Sequence, residues 1–220
     1  EPDWAERDRF FLSKGHACTS LYAALAEKGF FPKRELASLR QYQSILQGHP
    51  DMKVTPGVDM SSGSLGQGLS IANGMALAAK LQKKSYRVYV LLGDGEMEEG
   101  QVWEAAMAAA HYKLDNLTAI VDVNGLQING TTDEVMRVAP LDEKFAAFGW
   151  HVITVDGHAI PEIQAAFETA KRCAGKPTVL LARTVKGKGI SYMENQAKWH
   201  SGVPTDEEYQ QAVRELGGAL

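Results

Sequence analysis

From residue 86 to residue 184 the chain alternates between short apolar runs and longer stretches with a helical spacing of apolar positions. The runs at 86–92, 117–123, 150–155 and 177–184 predict strands, and the stretches at 98–113, 141–148 and 160–174 predict helices. Strands alternating with helices predict an α/β fold, a parallel sheet covered by helices on both faces. Ahead of this region, residues 7–12 predict a short strand and 17–27 a buried, Ala/Leu-rich helix stopped at Gly29. Pro32 opens a further short helix that fades near Gln43. Residues 47–63 are rich in Gly, Pro, Asp and Ser and form a loop, long enough in a compact domain to suggest a function. Ser64 is expected to cap a helix running to about Lys84, whose Gly66, Gly68, Ala72, Gly74 and Ala76 suit close packing against another backbone. The tail after Thr184 is Gly-rich, then polar, and predicts a last helix at 205–216.

The 220 residues suffice for one substantial core. A net charge of −4, with only short, scattered lysine pairs such as Lys83-Lys84 and Lys186-Gly187-Lys188, excludes a nucleic-acid footprint. Cys18 and Cys173 have neither metal nor redox spacing, which suggests a cytoplasmic protein with free thiols. No apolar run is long enough to span a membrane, and no signal peptide is expected. The chain opens on Glu1 rather than Met, so its natural N-terminus is expected to lie upstream.

Chemistry concentrates where the alternation is sharpest. The first apolar run ends in Gly93-Asp94-Gly95, and the next ends with Asn124 at its tip. In parallel sheets ligands gather at the carboxyl ends of strands. The two glycines let backbone approach a ligand closely, and a helix beginning just beyond offers free N–H groups to phosphate. Asp94 and Asn124 supply hard oxygens of the kind Mg²⁺ shares with phosphates. By itself Gly-Asp-Gly is also an ordinary turn. Glu96, Glu98 and Glu99 suit the start of a helix for electrostatic reasons alone. Asp122 could merely end its strand. His16, His49 and His200 are isolated histidines, for which a structural or surface role serves as well, and their spacing does not suggest zinc. His111, His151 and His158 read as structural or exposed. The methionines and Trp103 fall at helical spacing and read as core.

Gly93-Asp94-Gly95 followed by Asn124 resembles the thiamine diphosphate motif. The segments Glu98-Glu99-Gly100-Gln101-Val102-Trp103-Glu104-Ala105-Ala106 and Tyr112-Lys113-Leu114-Asp115-Asn116-Leu117 resemble transketolases in particular. So do Arg7-Asp8-Arg9-Phe10 with Ser13-Lys14-Gly15-His16, Gly48-His49-Pro50, Gly63-Ser64-Leu65-Gly66-Gln67-Gly68 and Trp199-His200. The resemblance spans nearly the whole chain but only the first of the family's three domains, and the family's leading helical segment is absent. It implies a thiamine diphosphate-binding fold, with a cofactor and metal domain at 1–185 and a linker and tail at 186–220 facing a partner. It implies Mg²⁺, or Ca²⁺ or Mn²⁺ in its place, held by Asp94, Asn124 and the carbonyl of Leu126. The cofactor contacts implied are His49, Gly63, Ser64, Leu65, Gly93, Asp94, Gly95, Glu96 and Asn124. The catalytic residues implied are His16, His49 and His200, acting on sugar hydroxyls and protons, and Glu99 at the interface between active sites. Imidazole suits such proton work at neutral pH.

The family's pyrimidine-binding domain and its sugar-phosphate arginines have no counterpart in the chain. The resemblance is therefore to the N-terminal subunit of a split transketolase, active with a C-terminal pyrimidine-domain subunit in a heterotetramer. Such an enzyme would move a two-carbon ketol unit between sugar phosphates. The alternatives are another thiamine enzyme such as a deoxyxylulose-phosphate synthase, a non-catalytic scaffold subunit, and a fragment of a longer enzyme.

Overall fold

A computed structural model describes residues 4–218. Five strands form one parallel sheet: β1 (Arg9–Leu12), β2 (Val88–Gly93), β3 (Leu117–Val123), β6 (His151–Asp156) and β7 (Thr178–Arg183), in the order β1-β2-β3-β7-β6. Two-residue strands β4 (Leu126–Gln127) and β5 (Gly130–Thr131) pair as a hairpin beside the end of β3. The helices are α1 (Cys18–Glu27), α2 (Gln67–Leu81), α3 (Gly100–His111), α4 (Thr132–Val135), α5 (Leu141–Ala147), α6 (Ile160–Arg172) and α7 (Asp206–Glu215).

Strand alternation divides the core between the two sheet faces. Val88, Val90 and Leu92 of β2, Leu117, Ala119 and Val121 of β3, and Val179 and Leu181 of β7 all face α2, α3 and α5. The small residues of α2 and α3 (Ala72, Ala76, Ala105, Ala106, Ala109) are fully or almost fully buried there, so small side chains bring the two helices close to the sheet. Leu180 and Ala182 of β7 face the opposite way, against Ala166 and Ala170 of α6. A smaller cluster joins α1 to the long loop through Tyr22, Phe31, Leu46 and Val58. Asp59 ties that loop to β1: it receives Arg7 at 2.6 and 2.9 Å and the Phe10 N–H at 2.9 Å.

The alternating strands and helices, and the parallel sheet, agree with the sequence pattern. Several details differ. On the second face α6 is the only covering helix among the described residues, so Phe10, Tyr89 and Ile120 line a groove beside Phe167. The stretch after Pro32 is a 3-10 helix, Lys33–Ser38, ended by extended backbone at Leu39 and left-handed backbone at Arg40 (φ 60°). Helix α2 is capped not by Ser64 but by Gly66, whose φ of 82° favours glycine. Met97 is core, whereas Met52, Met107 and Met136 are exposed. The element directly after Asp94 is a four-residue 3-10 turn, Gly95–Glu98, and α3 begins only at Gly100. The anion site expected from a helix start at the Gly-Asp-Gly turn is therefore not built that way.

Candidate active site

Four parallel strands end on one rim, and each contributes to a single cluster. Strand β2 delivers Asp94, which is 3% exposed. Its carboxylate accepts the N–H groups of Gly95 at 2.8 Å and Gly125 at 2.6 Å, which fixes the side chain between the ends of β2 and β3. Burial raises the pKa of Asp94, the two N–H groups oppose that, and neighbouring Asp122 adds to it. A cation bound there would relieve both unfavourable contributions.

Strand β3 delivers Asp122 and, at its tip, Asn124. The Nδ2 of Asn124 points to Asp122 at 3.4 Å, and its Oδ1 accepts the Leu126 N–H at 3.0 Å. That leaves the amide oxygen a second lone pair. The side chains of Asp94 and Asn124 offer a carboxylate and an amide oxygen, hard donors whose chemistry suits Mg²⁺ or Ca²⁺ better than zinc.

Strands β1 and β7 bring the positive charge. Lys14, just past β1, pairs with Asp122, which also accepts the Thr184 hydroxyl at the end of β7. Asp122 is thus more than a strand end: its pKa is lowered by Lys14 and by three side-chain hydrogen bonds, against the opposing effect of its burial. Lys186 follows two residues after Thr184. It is half-buried, its pKa is lowered by burial and then by Lys14, and its ammonium has no ion-pair or hydrogen-bond partner among the described residues. A half-buried ammonium beside a second lysine is the environment an anion such as a diphosphate would neutralise.

The predicted histidines converge on the same cluster. The rings of His16 and His200 lie 5.1 Å apart, tilted by 30°. His49 lies beside Gly63, where a Cβ would come within 3.6 Å of its ring. The pKa of His16 is lowered by burial, then by His200, Lys14, His49 and Lys186. That of His200 is lowered by burial, then by Lys186 and Lys14. Burial and the nearby positive charges thus favour the neutral form of both imidazoles. The Nδ1 of His200 is buried without a partner among the described residues, as is the hydroxyl of Ser62. The turn carrying His200 packs on β4, next to Leu126. Removing one of the two lysine charges should raise the pKa of His200. In Lys186→Gln we expect the His200 imidazole to titrate at higher pH than in the parent, read from its ring NMR shifts; an unchanged midpoint would contradict the arrangement.

The remaining expected residues lie in the neighbouring segments. Ser64 and Leu65 are exposed on the loop before α2. Glu99 is exposed at the start of α3, where its Cβ crowds Gly66. Glu96 turns inward, away from the solvent-facing position that a favourable charge at a helix start would take. The sequence reading missed Lys14, Asp122, Thr184 and Lys186. The available signal was position: each lies at or just beyond the carboxyl end of a predicted strand, where parallel sheets place ligands.

Residues 1–219 match the family described as the transketolase thiamine diphosphate binding domain. One of the subunits of the apulose-4-phosphate transketolase of Phocaeicola vulgatus is 49% identical over 216 residues, covering 98% of this chain and 76% of that protein. The 6-deoxy-6-sulfo-D-fructose transketolase subunit SqwG of a Clostridium species is 49% identical over 215 residues, covering 98% of this chain and 78% of that protein. Among solved structures, transketolase from Campylobacter jejuni superposes with a TM-score of 0.93 at 35% identity, covering 99% of this chain and 35% of that one. With the sheet order, the strand-end cluster and these likenesses together, the chain belongs to the transketolase family and carries its thiamine diphosphate-binding fold.

Proposed function

We propose that this chain is the N-terminal, cofactor-holding subunit of a split transketolase, which moves a two-carbon ketol unit from a ketose phosphate to an aldose phosphate. The observation that carries the reading is Lys186, half-buried near Lys14, Asp122 and Asp94 and without an ion-pair or hydrogen-bond partner among the described residues. A metal diphosphate satisfies both halves of that arrangement at once. Bound thiamine diphosphate would supply the carbon nucleophile that accepts the ketol unit. Asp94, the Asn124 amide oxygen and the Leu126 carbonyl would hold Mg²⁺, with Ca²⁺ or Mn²⁺ as substitutes. Lys14 and Lys186 would neutralise the phosphates, while Gly93 and Gly95 allow close approach. His49 with Gly63, Ser64 and Leu65 would form the adjoining wall. The rings of His16 and His200, whose surroundings favour the neutral form, would accept protons from sugar hydroxyls and return them, with His49 nearby.

The site lies at one rim of a single sheet, and a partner supplying the pyrimidine-side domain would close it. The names of the two bacterial relatives as subunits support such a partner. A heterotetramer of two chain types, with Glu99 near the junction, is part of the same proposal. Those relatives are named for different sugars yet are equally similar to this chain. The selection of sugar is accordingly assigned mainly to the partner. The division into a cofactor domain at 1–185 and a partner-facing tail at 186–220 belongs to the same proposal. Cys18 and Cys173 are free, and no described helix is long and apolar enough to cross a membrane; both are in keeping with a cytoplasmic enzyme.

The test is turnover with thiamine diphosphate, Mg²⁺ and a ketose-phosphate/aldose-phosphate pair, for the chain alone and with its partner. Activity only in combination is expected. Activity from the chain alone would overturn the two-subunit reading, and turnover of pyruvate instead of a ketose donor would favour a deoxyxylulose-phosphate synthase-like enzyme.

A further inference from the structure

Glu96 lies two residues past Asp94, yet its side chain is 3% exposed. Its Oε1 accepts the Ser13 hydroxyl and, at 2.9 Å, the Gly66 N–H. Its Oε2 accepts the Gly93 N–H at 3.1 Å. Among the described residues no lysine, arginine or histidine pairs with it within ion-pair distance, so its two buried oxygens are met by these three donors. Each donor comes from a different segment. Ser13 leaves β1 immediately before Lys14 and His16. Gly66 ends the loop of Gly63, Ser64 and Leu65 and caps α2. Gly93 closes β2 immediately before Asp94.

We infer that Glu96 is a positioning residue that locks these three segments into one register, and so presets the diphosphate and metal site without touching its ligand. The inference rests on the cofactor reading above. Hydrogen bonds from an N–H or O–H to an ionised carboxylate are stronger and more directional than neutral ones. A single carboxylate with two acceptor oxygens can hold three donors, which a neutral side chain of the same size cannot. In Glu96→Gln one end of the amide is a donor, so whichever way it flips it opposes either the Gly66 or the Gly93 N–H. That substitution is nearly isosteric and unhooks one segment without opening a cavity.

The experiment compares the protein, assembled with its partner subunit, with the Glu96→Gln and Ser13→Ala variants. Thiamine diphosphate affinity is measured by calorimetry with Mg²⁺ present, kcat at saturating cofactor, and hydrogen exchange at individual backbone amides. For Glu96→Gln we expect cofactor binding to weaken by about 10- to 100-fold, the scale of one lost charge-assisted bond. The kcat at saturation should stay within about threefold, because the residue does not act on reacting atoms. Exchange should speed up at Gly66 and Gly93 but not at Val121 in the centre of β3. Ser13→Ala removes a donor without opposing one and should weaken binding less. Adding it to Glu96→Gln should cost less than the sum of the two, since they share one group.

A fall in thermal stability with unchanged cofactor affinity would overturn the inference and leave Glu96 an ordinary fold residue. If the parent protein bound no thiamine diphosphate, the cofactor reading itself would fail. Exchange at Gly66 and Gly93 would still decide whether Glu96 holds the three segments.

Discussion

In Asp94→Ala, turnover of the assembled enzyme is expected to fall by about a thousandfold or more, the scale of losing a metal that organises and neutralises a transferring site. The physical case is local. Asp94 joins the Gly-Asp-Gly turn to the tip of β3, through Gly95 and Gly125. Its removal takes away the buried carboxylate at the end of β2 and leaves the Gly95 and Gly125 N–H groups without their acceptor. The second effect should cost about 1–3 kcal/mol of stability, too little to unfold the domain. The measurement is turnover with thiamine diphosphate and a range of Mg²⁺ concentrations, alongside sizing of the complex. Lost activity in an intact complex is the expected result. Full activity would support the scaffold alternative and remove Asp94 from the metal site.

The second large effect is steric. In Gly68→Ala the new methyl would sit on the Ser13 side chain and 2.6 Å from the Phe11 ring, in a region without room. Gly68 lies in the first turn of α2 with helical backbone, so the cost is overpacking and not conformational strain. Phe11 is core on β1 and Ser13 is held by Glu96, so neither yields easily. We expect a loss of about 3 kcal/mol, or roughly 10 °C in melting temperature for a domain of this size. Gly74, on the same helix, has nothing within 4 Å of its added methyl. Gly74→Ala should be neutral or more stable by about 0.5–1 kcal/mol. Equal melting temperatures for the two variants would show that α2 does not press on β1 as described.

The sheet was legible in the sequence because its strands are short apolar runs separated by helical periods, and neither pattern depends on distant residues. The ligand end was legible for the same reason: Asp94 and Asn124 mark themselves by following such runs. The start of α2 was not, because Gly66 is chosen by tertiary demands, the acceptor on Glu96 and the close approach of Glu99, and these outweigh the capping preference of Ser64. The hairpin of β4 and β5 has two residues in each strand, too few for a period to appear. Lys14 and Lys186 escaped because two lysines from opposite ends of the sequence meet only once β1 and β7 flank β2 and β3. Glu96 escaped because acidic residues at a helix start already have a sufficient local explanation.

Strand β7, the last to be synthesised, is inserted between β3 and β6, and β6 pairs with β7 alone. On the ribosome, where chains lengthen by about 5–20 residues per second, β6 therefore emerges without a neighbour and β3 waits with an open edge. Neither can finish pairing until Thr178–Arg183 has left the exit tunnel. The same event delivers Thr184 to Asp122 and brings Lys186 into place. A nascent chain stopped short of β7 thus leaves β3 with an open edge and β6 unpaired, and completing the sheet and assembling the Asp122, Thr184 and Lys186 cluster are one step of biogenesis.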